Sequence, residues 1–110
     1  MSGALCVMLG AGEMVATASP NSVYGSGFAG PISTEATTVT VGGGVGPFTY
    51  AWARTSGAGG AANVPNGSTT QFTASMGSGQ TLASVFACVV TDTATGKSVQ
   101  VSVDAAWDAF

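Results

Sequence analysis

The segment LASVFACVVTDTATGKSVQVSV, residues 82–103, contains the clearest structural pattern in the chain. In residues 97–103 valine alternates with polar residues, the period-two pattern of a half-buried β-strand. Residues 82–92 are almost continuously small and apolar, as in a central strand whose two faces are both covered. The short polar stretch between these runs ends at Gly96, which can supply the positive φ of a tight turn. The segment therefore predicts two antiparallel strands joined by a hairpin.

Shorter runs upstream repeat the strand pattern. Strands are predicted at Met14–Ser19, Thr37–Val41, Phe48–Arg54 and Thr70–Met76. Turns containing glycine and proline separate the runs, and no stretch shows the i, i+3, i+4, i+7 spacing of an amphipathic helix. The Gly-rich residues Tyr24–Ser33 are predicted to form a loop or an irregular edge. At 110 residues the chain is therefore predicted to fold as one all-β domain, a sandwich or a barrel.

Large apolar side chains are scarce, because more than half of the residues are Gly, Ala, Ser or Thr. A buried aromatic side chain removes roughly 150–250 Å² from water, so a few of them can supply most of a small core. The centre of the core is therefore predicted to consist of the aromatic residues within the strands, which are Phe48, Tyr50, Trp52, Phe72 and Phe86.

The composition argues against several classes of function. Arg54 and Lys97 are the only basic residues, so the chain has no cationic surface with which to neutralise nucleic-acid phosphates. No stretch approaches the roughly 20 apolar residues needed to cross a bilayer. The chain contains no histidine, which removes the usual general base and the commonest metal ligand. We therefore expect no enzymatic activity, no cofactor and no metal.

Three segments with chemical associations have simpler interpretations. Gly57–Ala62 satisfies the dinucleotide fingerprint G-x-G-x-x-A, but Asn63–Gly67 cannot form the helix that would hold a pyrophosphate. Gly42–Gly46 is predicted to be a turn, with anion binding as the weaker alternative. Asp92 stands at the predicted hairpin, where it is expected to cap the turn.

Four segments together resemble a known family. In chain order they are Ala16-Thr17-Ala18-Ser19-Pro20, Thr38-Val39-Thr40-Val41, Gly46-Pro47-Phe48-Thr49-Tyr50-Ala51-Trp52 and Phe86-Ala87-Cys88-Val89-Val90-Thr91-Asp92. Their order resembles the bacterial and phage immunoglobulin-like domains, close to the PKD type, over about residues 14–103. The resemblance implies an immunoglobulin-like antiparallel β-sandwich of about seven strands. Trp52 matches the family's strand C tryptophan, and Cys88 matches its strand F cysteine.

The chain departs from the family pattern in two ways. Phe86 stands where the family has the tyrosine-corner residue, so the hydroxyl hydrogen bond of that corner is missing. The run that matches the family's strand B contains Val39 and Val41 but no cysteine, and Cys6 lies upstream of the first matching strand, so the resemblance implies that the inter-sheet disulfide is absent. Cys88 is then a free thiol that belongs to the core with the aromatic residues.

The two ends of the chain lie outside the predicted sandwich of residues 14–103. Residues 1–13 are interpreted as an N-terminal apolar arm and residues 104–110 as a C-terminal aromatic tail. Either these extended arms fold back over a sheet edge, or they insert into neighbouring subunits by strand addition and aromatic anchoring. In the second case the partner-binding residues are Leu5, Val7, Met8, Leu9, Trp107 and Phe110.

Domains of the resembled family occur among the structural proteins of tailed phages, where they decorate capsids, tail tubes and tail tips. The resemblance therefore implies a non-enzymatic structural component of a phage virion, capsid-decorating or tail-associated, made in the host cytoplasm. Its expected partners are other virion proteins, with homo-oligomeric or symmetric copies in the particle. The alternative is a weak carbohydrate-binding or host-surface adhesion module, in which Tyr24 or Trp107 stacks on the sugar rings of host-surface glycans.

Overall fold

The computed structural model describes residues 14–110, which form β-strands and no helix. Numbered in chain order, the ten strands are β1 (Val15–Ser19), β2 (Ser22–Gly27), β3 (Gly30–Ser33), β4 (Thr37–Gly42), β5 (Phe48–Gly57), β6 (Ala61–Ala62), β7 (Thr69–Thr70), β8 (Phe72–Met76), β9 (Thr81–Asp92) and β10 (Ser98–Ala109). The all-β class predicted from the alternating sequence pattern is confirmed.

The strands of residues 14–110 form three sheets. A four-stranded sheet has the order β2-β10-β9-β5, and two three-stranded sheets have the orders β1-β4-β7 and β3-β8-β6. Neighbouring strands pair antiparallel except β2 and β10, which run parallel. The predicted hairpin joins β9 to β10, with Thr91 opposite Ser98.

The last strand is longer than the sequence pattern predicted. The predicted strand ended at Val103, whereas β10 continues to Ala109. Its second half pairs with β9 on one side and with β2 on the other, so the interpretation of residues 104–110 as a tail outside the sandwich was wrong. The physical reason is that the alternation does not stop at Val103, because Ala105 and Trp107 stay on the inward, buried face.

The Gly-rich segment before β4 is also more regular than predicted. Residues 24–33 lie mostly in β2 and β3 instead of forming a loop or an irregular edge. A Cβ atom added to Gly25 would lie only 2.6 Å from the carbonyl oxygen of Ser33, so the two segments approach too closely for any side chain there. The glycine therefore marks close packing and not a turn.

The number of strands differs from the predicted seven because some predicted strands are interrupted. The predicted Thr70–Met76 strand is divided into β7 and β8, which lie in different sheets. The division is matched on the facing segment, since β7 pairs with β4 and β8 pairs with β3. The pairing between residues 30–42 and residues 69–76 therefore continues from one sheet into the other.

Four aromatic side chains occupy the centre of the core. Phe72 stacks on Phe86 with ring centroids 4.3 Å apart. Trp52 meets Phe72 edge-on at 5.4 Å, and Trp107 meets Phe86 edge-on at 6.3 Å. Because Phe72 lies on β8 and the other three on the four-stranded sheet, this aromatic stack joins two sheets.

The structure places the predicted core residues at two depths. Trp52, Phe72, Phe86 and Cys88 are buried, while Phe48 and Tyr50 are half-buried and pack against the core. The prediction omitted Trp107, which is 1% exposed and donates its indole N–H to the carbonyl oxygen of Phe72 at 3.3 Å.

Candidate functional site

Two exposed phenylalanines form an apolar projection at one end of the molecule. Phe28 is 81% exposed and Phe110 is 61% exposed, and their rings meet edge-on with centroids 5.7 Å apart. Phe28 lies in the turn between β2 and β3, and Phe110 follows the end of β10. We call this pair the aromatic end.

Backbone hydrogen bonds hold the aromatic end in place. The N–H of Phe110 donates to the carbonyl oxygen of Gly27 at 3.0 Å, which continues the pairing of β10 with β2. The hydroxyl of Ser78 donates to the carbonyl oxygen of Phe110 at 2.9 Å. Two exposed aromatic rings on an ordered backbone form a preorganised apolar contact, which is the usual character of an interface anchor.

The structure places the sequence-predicted partner-binding residues in different environments. Phe110 is exposed, as a contact residue must be, whereas Trp107 is buried in the core and presents no surface to a partner. The assignment of Trp107 to partner binding was therefore wrong, because its place on β10 aims the indole ring at Phe86. Leu5, Val7, Met8 and Leu9 lie outside the described residues.

The opposite end of the molecule carries a second group of exposed side chains. Val15 is 55% exposed and Val45 is 70% exposed, and the exposed Lys97 lies in the hairpin between β9 and β10. The pairing of Val15 with Gly42 places the start of β1 beside the loop that contains Val45. We call Val15, Val45 and Lys97 the hairpin end.

Asp92 ties the loop of the hairpin end to the hairpin itself. Its carboxylate accepts hydrogen bonds from the N–H groups of Val45 at 2.8 Å and Gly46 at 3.2 Å, and from the N–H of Ala94 at 2.9 Å. The hydrogen bond from Val45 is the largest cause of a pKa for Asp92 that lies below its ordinary value, and those from Ala94 and Gly46 also lower it, against an opposing effect of burial. Asp92 caps the hairpin as predicted, and it also fills the amide concavity of the Gly42–Gly46 turn.

An open groove of about 360 Å³ crosses the outer face of the four-stranded sheet. Tyr24 stands at its side with 52% of its surface exposed, and its hydroxyl donates to the Asp108 carboxylate at 3.4 Å. Thr81, Ala83 and Ala106 contribute small side chains to the groove, which Leu82 and Trp107 also line. A half-exposed phenol ring beside a carboxylate can contact a ligand that has both an apolar face and hydroxyl groups.

The Gly57–Ala62 segment is not a nucleotide cradle. A Cβ atom on Gly60 would lie 2.4 Å from the indole ring of Trp107, so the backbone approaches the core and not an open pocket. The segment ends in strand β6, where the dinucleotide mechanism needs a helix N-terminus.

The described residues offer little further chemistry. Within residues 14–110 there is no group of three or more His, Cys, Asp or Glu side chains arranged to hold a metal ion. Burial raises the pKa of the free Cys88 thiol, against a smaller opposing effect of a hydrogen bond with the backbone of Ala51, and this disfavours the reactive thiolate. Each buried side-chain nitrogen or oxygen in this part of the chain has a hydrogen-bond partner.

Comparison with known proteins gives no match at the level of family models, curated proteins or solved structures. No helix in residues 14–110 is long and apolar enough to span a membrane.

Sequence reasoning missed Phe28 as an exposed aromatic residue. A signal was present, because Phe28 is the one large apolar side chain in the stretch Gly25-Ser26-Gly27-Phe28-Ala29-Gly30. A large ring flanked by residues too small to cover it has little chance of burial in a turn.

Proposed function

We propose that the chain is a non-enzymatic structural component of a phage virion, capsid-decorating or tail-associated, that attaches to neighbouring virion proteins through its exposed ends. The exposed Phe28–Phe110 pair carries this proposal, because two solvent-facing rings held in one arrangement are costly on a monomer and useful in an interface. The partner-binding set proposed for the described residues is therefore Phe28 and Phe110.

The strand arrangement supports the immunoglobulin-like part of the proposal. If β1 with β2, β3 with β4, and β7 with β8 are each treated as one interrupted strand, the ten strands reduce to seven. The four-stranded sheet then faces a second layer built from β1, β4, β7, β3, β8 and β6, with the aromatic stack between them. A two-layer arrangement of this kind supports the sandwich that we propose from the sequence resemblance.

Particle composition tests the proposal. Virus particles released from cells that carry the gene are purified by density gradient, and the chain is sought among their proteins by mass spectrometry. We expect a fixed copy number per particle, with occupancy lost in the double variant Phe28→Ser, Phe110→Ser. Val64→Ser, which changes a 49%-exposed valine away from both ends, is the matched control and should leave occupancy unchanged. Absence of the wild-type chain from intact particles would refute the virion assignment.

A second candidate function is weak carbohydrate binding at the groove beside Tyr24. The observation that favours it is the half-exposed Tyr24 ring with the Asp108 carboxylate 3.4 Å from its hydroxyl. Trp107 cannot stack on a sugar because it is buried, so the test uses Tyr24→Ala. Glycan-array binding that disappears in Tyr24→Ala but persists in Phe110→Ser favours the carbohydrate function over the structural one.

A further inference from the structure

The aromatic end and the hairpin end lie at the two ends of one strand. Lys97 directly precedes β10, and Asp108 lies at its far end beside Phe110. The twelve residues of β10 separate the two ends by roughly 40 Å at about 3.3 Å per residue. The two surfaces therefore point in opposite directions and cannot contact each other within one molecule.

The two ends are complementary in character. Each presents two exposed apolar side chains, phenylalanines at the aromatic end and valines at the hairpin end. Lys97 is a cation at the hairpin end, and Asp108 is an anion at the aromatic end. The Asp92 carboxylate is a negative charge near the hairpin end, but it is 1% exposed and bound by backbone amides, so Lys97 determines the surface charge there. Stacking along the axis of β10 would put Lys97 of one molecule near Asp108 of the next.

We infer that copies of this chain associate head to tail, the aromatic end of one copy docking on the hairpin end of the next. The inference rests on the proposed function in treating the aromatic end as an attachment site, and it names a second copy as the partner. Joining two different surfaces is a heterologous contact, which generates a ring when the rotation closes and a filament when it does not.

The cross-section of the molecule sets the strength of this contact. Four strands about 4.8 Å apart span about 19 Å, and two layers of about 10 Å each span about 20 Å, so the end face is on the order of 400 Å². A stable interface needs about 800 Å² from each partner, so the contact is weak in dilute solution and is strengthened where copies are held close together. Association should therefore appear only in the upper micromolar range in free solution.

A complementation experiment on the purified full-length chain tests the inference. Two variants are made, Phe28→Ser with Phe110→Ser at the aromatic end and Val15→Ser with Val45→Ser at the hairpin end. Sedimentation equilibrium up to about 1 mM should show that the wild-type chain self-associates and that each variant alone is at least tenfold weaker. An equimolar mixture of the two variants should form dimers and nothing larger, because each variant retains one intact end.

The alternative outcomes are distinct. A wild-type chain that stays monomeric at 1 mM overturns the inference, and so does a hairpin-end variant that still dimerises, which indicates symmetric pairing of two aromatic ends. Lys97→Glu provides a second variant that changes no apolar contact, and it should also weaken association at least threefold at low salt. A monomeric chain found in particles refutes only the copy-to-copy contact, whereas a self-associating chain absent from particles refutes only the virion assignment.

Discussion

Asp92 shows how a single residue can connect two parts of the fold. It ends β9, and its carboxylate binds the N–H groups of Val45 and Gly46 before β5 as well as that of Ala94 in the hairpin. A buried carboxylate is stable only when such donors replace the water it has lost. The turn before β5 is therefore positioned by a side chain that lies 46 residues further along the chain.

Replacing Asp92 by Asn should destabilise the fold at neutral pH, because the amide nitrogen cannot accept the hydrogen bonds that the carboxylate accepts. The pKa of Asp92 is lower in the folded state than in the unfolded state, so its contribution is present above pH 4 and is lost as the pH falls through the folded-state value. Urea unfolding at pH 7 and at pH 2.5 should show a gap between wild type and Asp92→Asn that narrows on acidification. Asp104→Asn, on the exposed outer face of β10, is the control. A gap of the same size at both pH values would contradict this account.

Gly60 provides a test of how closely the Trp107 ring packs against the backbone. Its φ is +91°, and an added Cβ would lie 2.4 Å from the Trp107 ring. Gly79 has a similar φ of +75° with nothing within 4 Å of an added Cβ, so it isolates the cost of the backbone conformation. Gly79→Ala should lower the free energy of unfolding by about 1–2 kcal/mol, and Gly60→Ala by about 2–5 kcal/mol. Equal losses in urea denaturation would show that the ring does not press on this backbone.

At the scale of elements, β10 organises the molecule. Its inward residues include Val103, Ala105 and Trp107, and it pairs with β9 along its full length and with β2 over its second half. The segment that resembled an exposed tail is thus a strand with neighbours on both sides. Removing residues 105–110 would take away half of a central strand, and such a deletion cannot report on binding.

The contrast between Trp107 and Phe110 checks this placement. Trp107→Ala should cost about 3–5 kcal/mol of stability, because it empties a buried site within the aromatic stack. Phe110→Ala should cost at most about 1 kcal/mol, because that ring is 61% exposed. Chemical denaturation measures both. Similar small effects for the two variants would indicate that Trp107 is exposed and lies in a tail outside the core.

At the scale of the whole molecule, the three sheets of the described chain share one core, and the aromatic stack joins two of them. Trp52 lies on β5, Phe72 on β8 and Trp107 on β10, so two sheets share a continuous run of ring contacts. The β1-β4-β7 sheet adds Val39 to the same buried cluster. A shared core of this kind favours cooperative unfolding.

Cooperative unfolding predicts coincident transitions. Tryptophan fluorescence in Trp52→Phe reports the β10 side of the core, and far-UV circular dichroism reports all strands. Within that one variant the two urea midpoints should agree within error. A fluorescence transition that precedes the loss of strand signal would indicate that β10 detaches before the other strands unfold.

Most of the strands and most of the core were predictable from local features. The alternation in residues 97–103 and the turn before Gly96 specified the hairpin, and aromatic residues at strand positions specified Trp52, Phe72 and Phe86 as core. The exposed aromatic end was less predictable: the sequence named Phe110, which is exposed, placed the buried Trp107 outside the core and did not indicate Phe28. Residues 25–30 carry too few apolar side chains to show any periodicity, although part of the segment is strand.

The amino-acid sequence by itself determined the all-β class, the hairpin and the central aromatic residues, because periodicity and turn composition are properties of neighbouring residues. Only the tertiary structure decided that Trp107 is core and that Phe28 meets Phe110 at the surface. The burial of a ring depends on which distant strand packs over it, and the contact between positions 28 and 110 exists only because β2 runs parallel to β10.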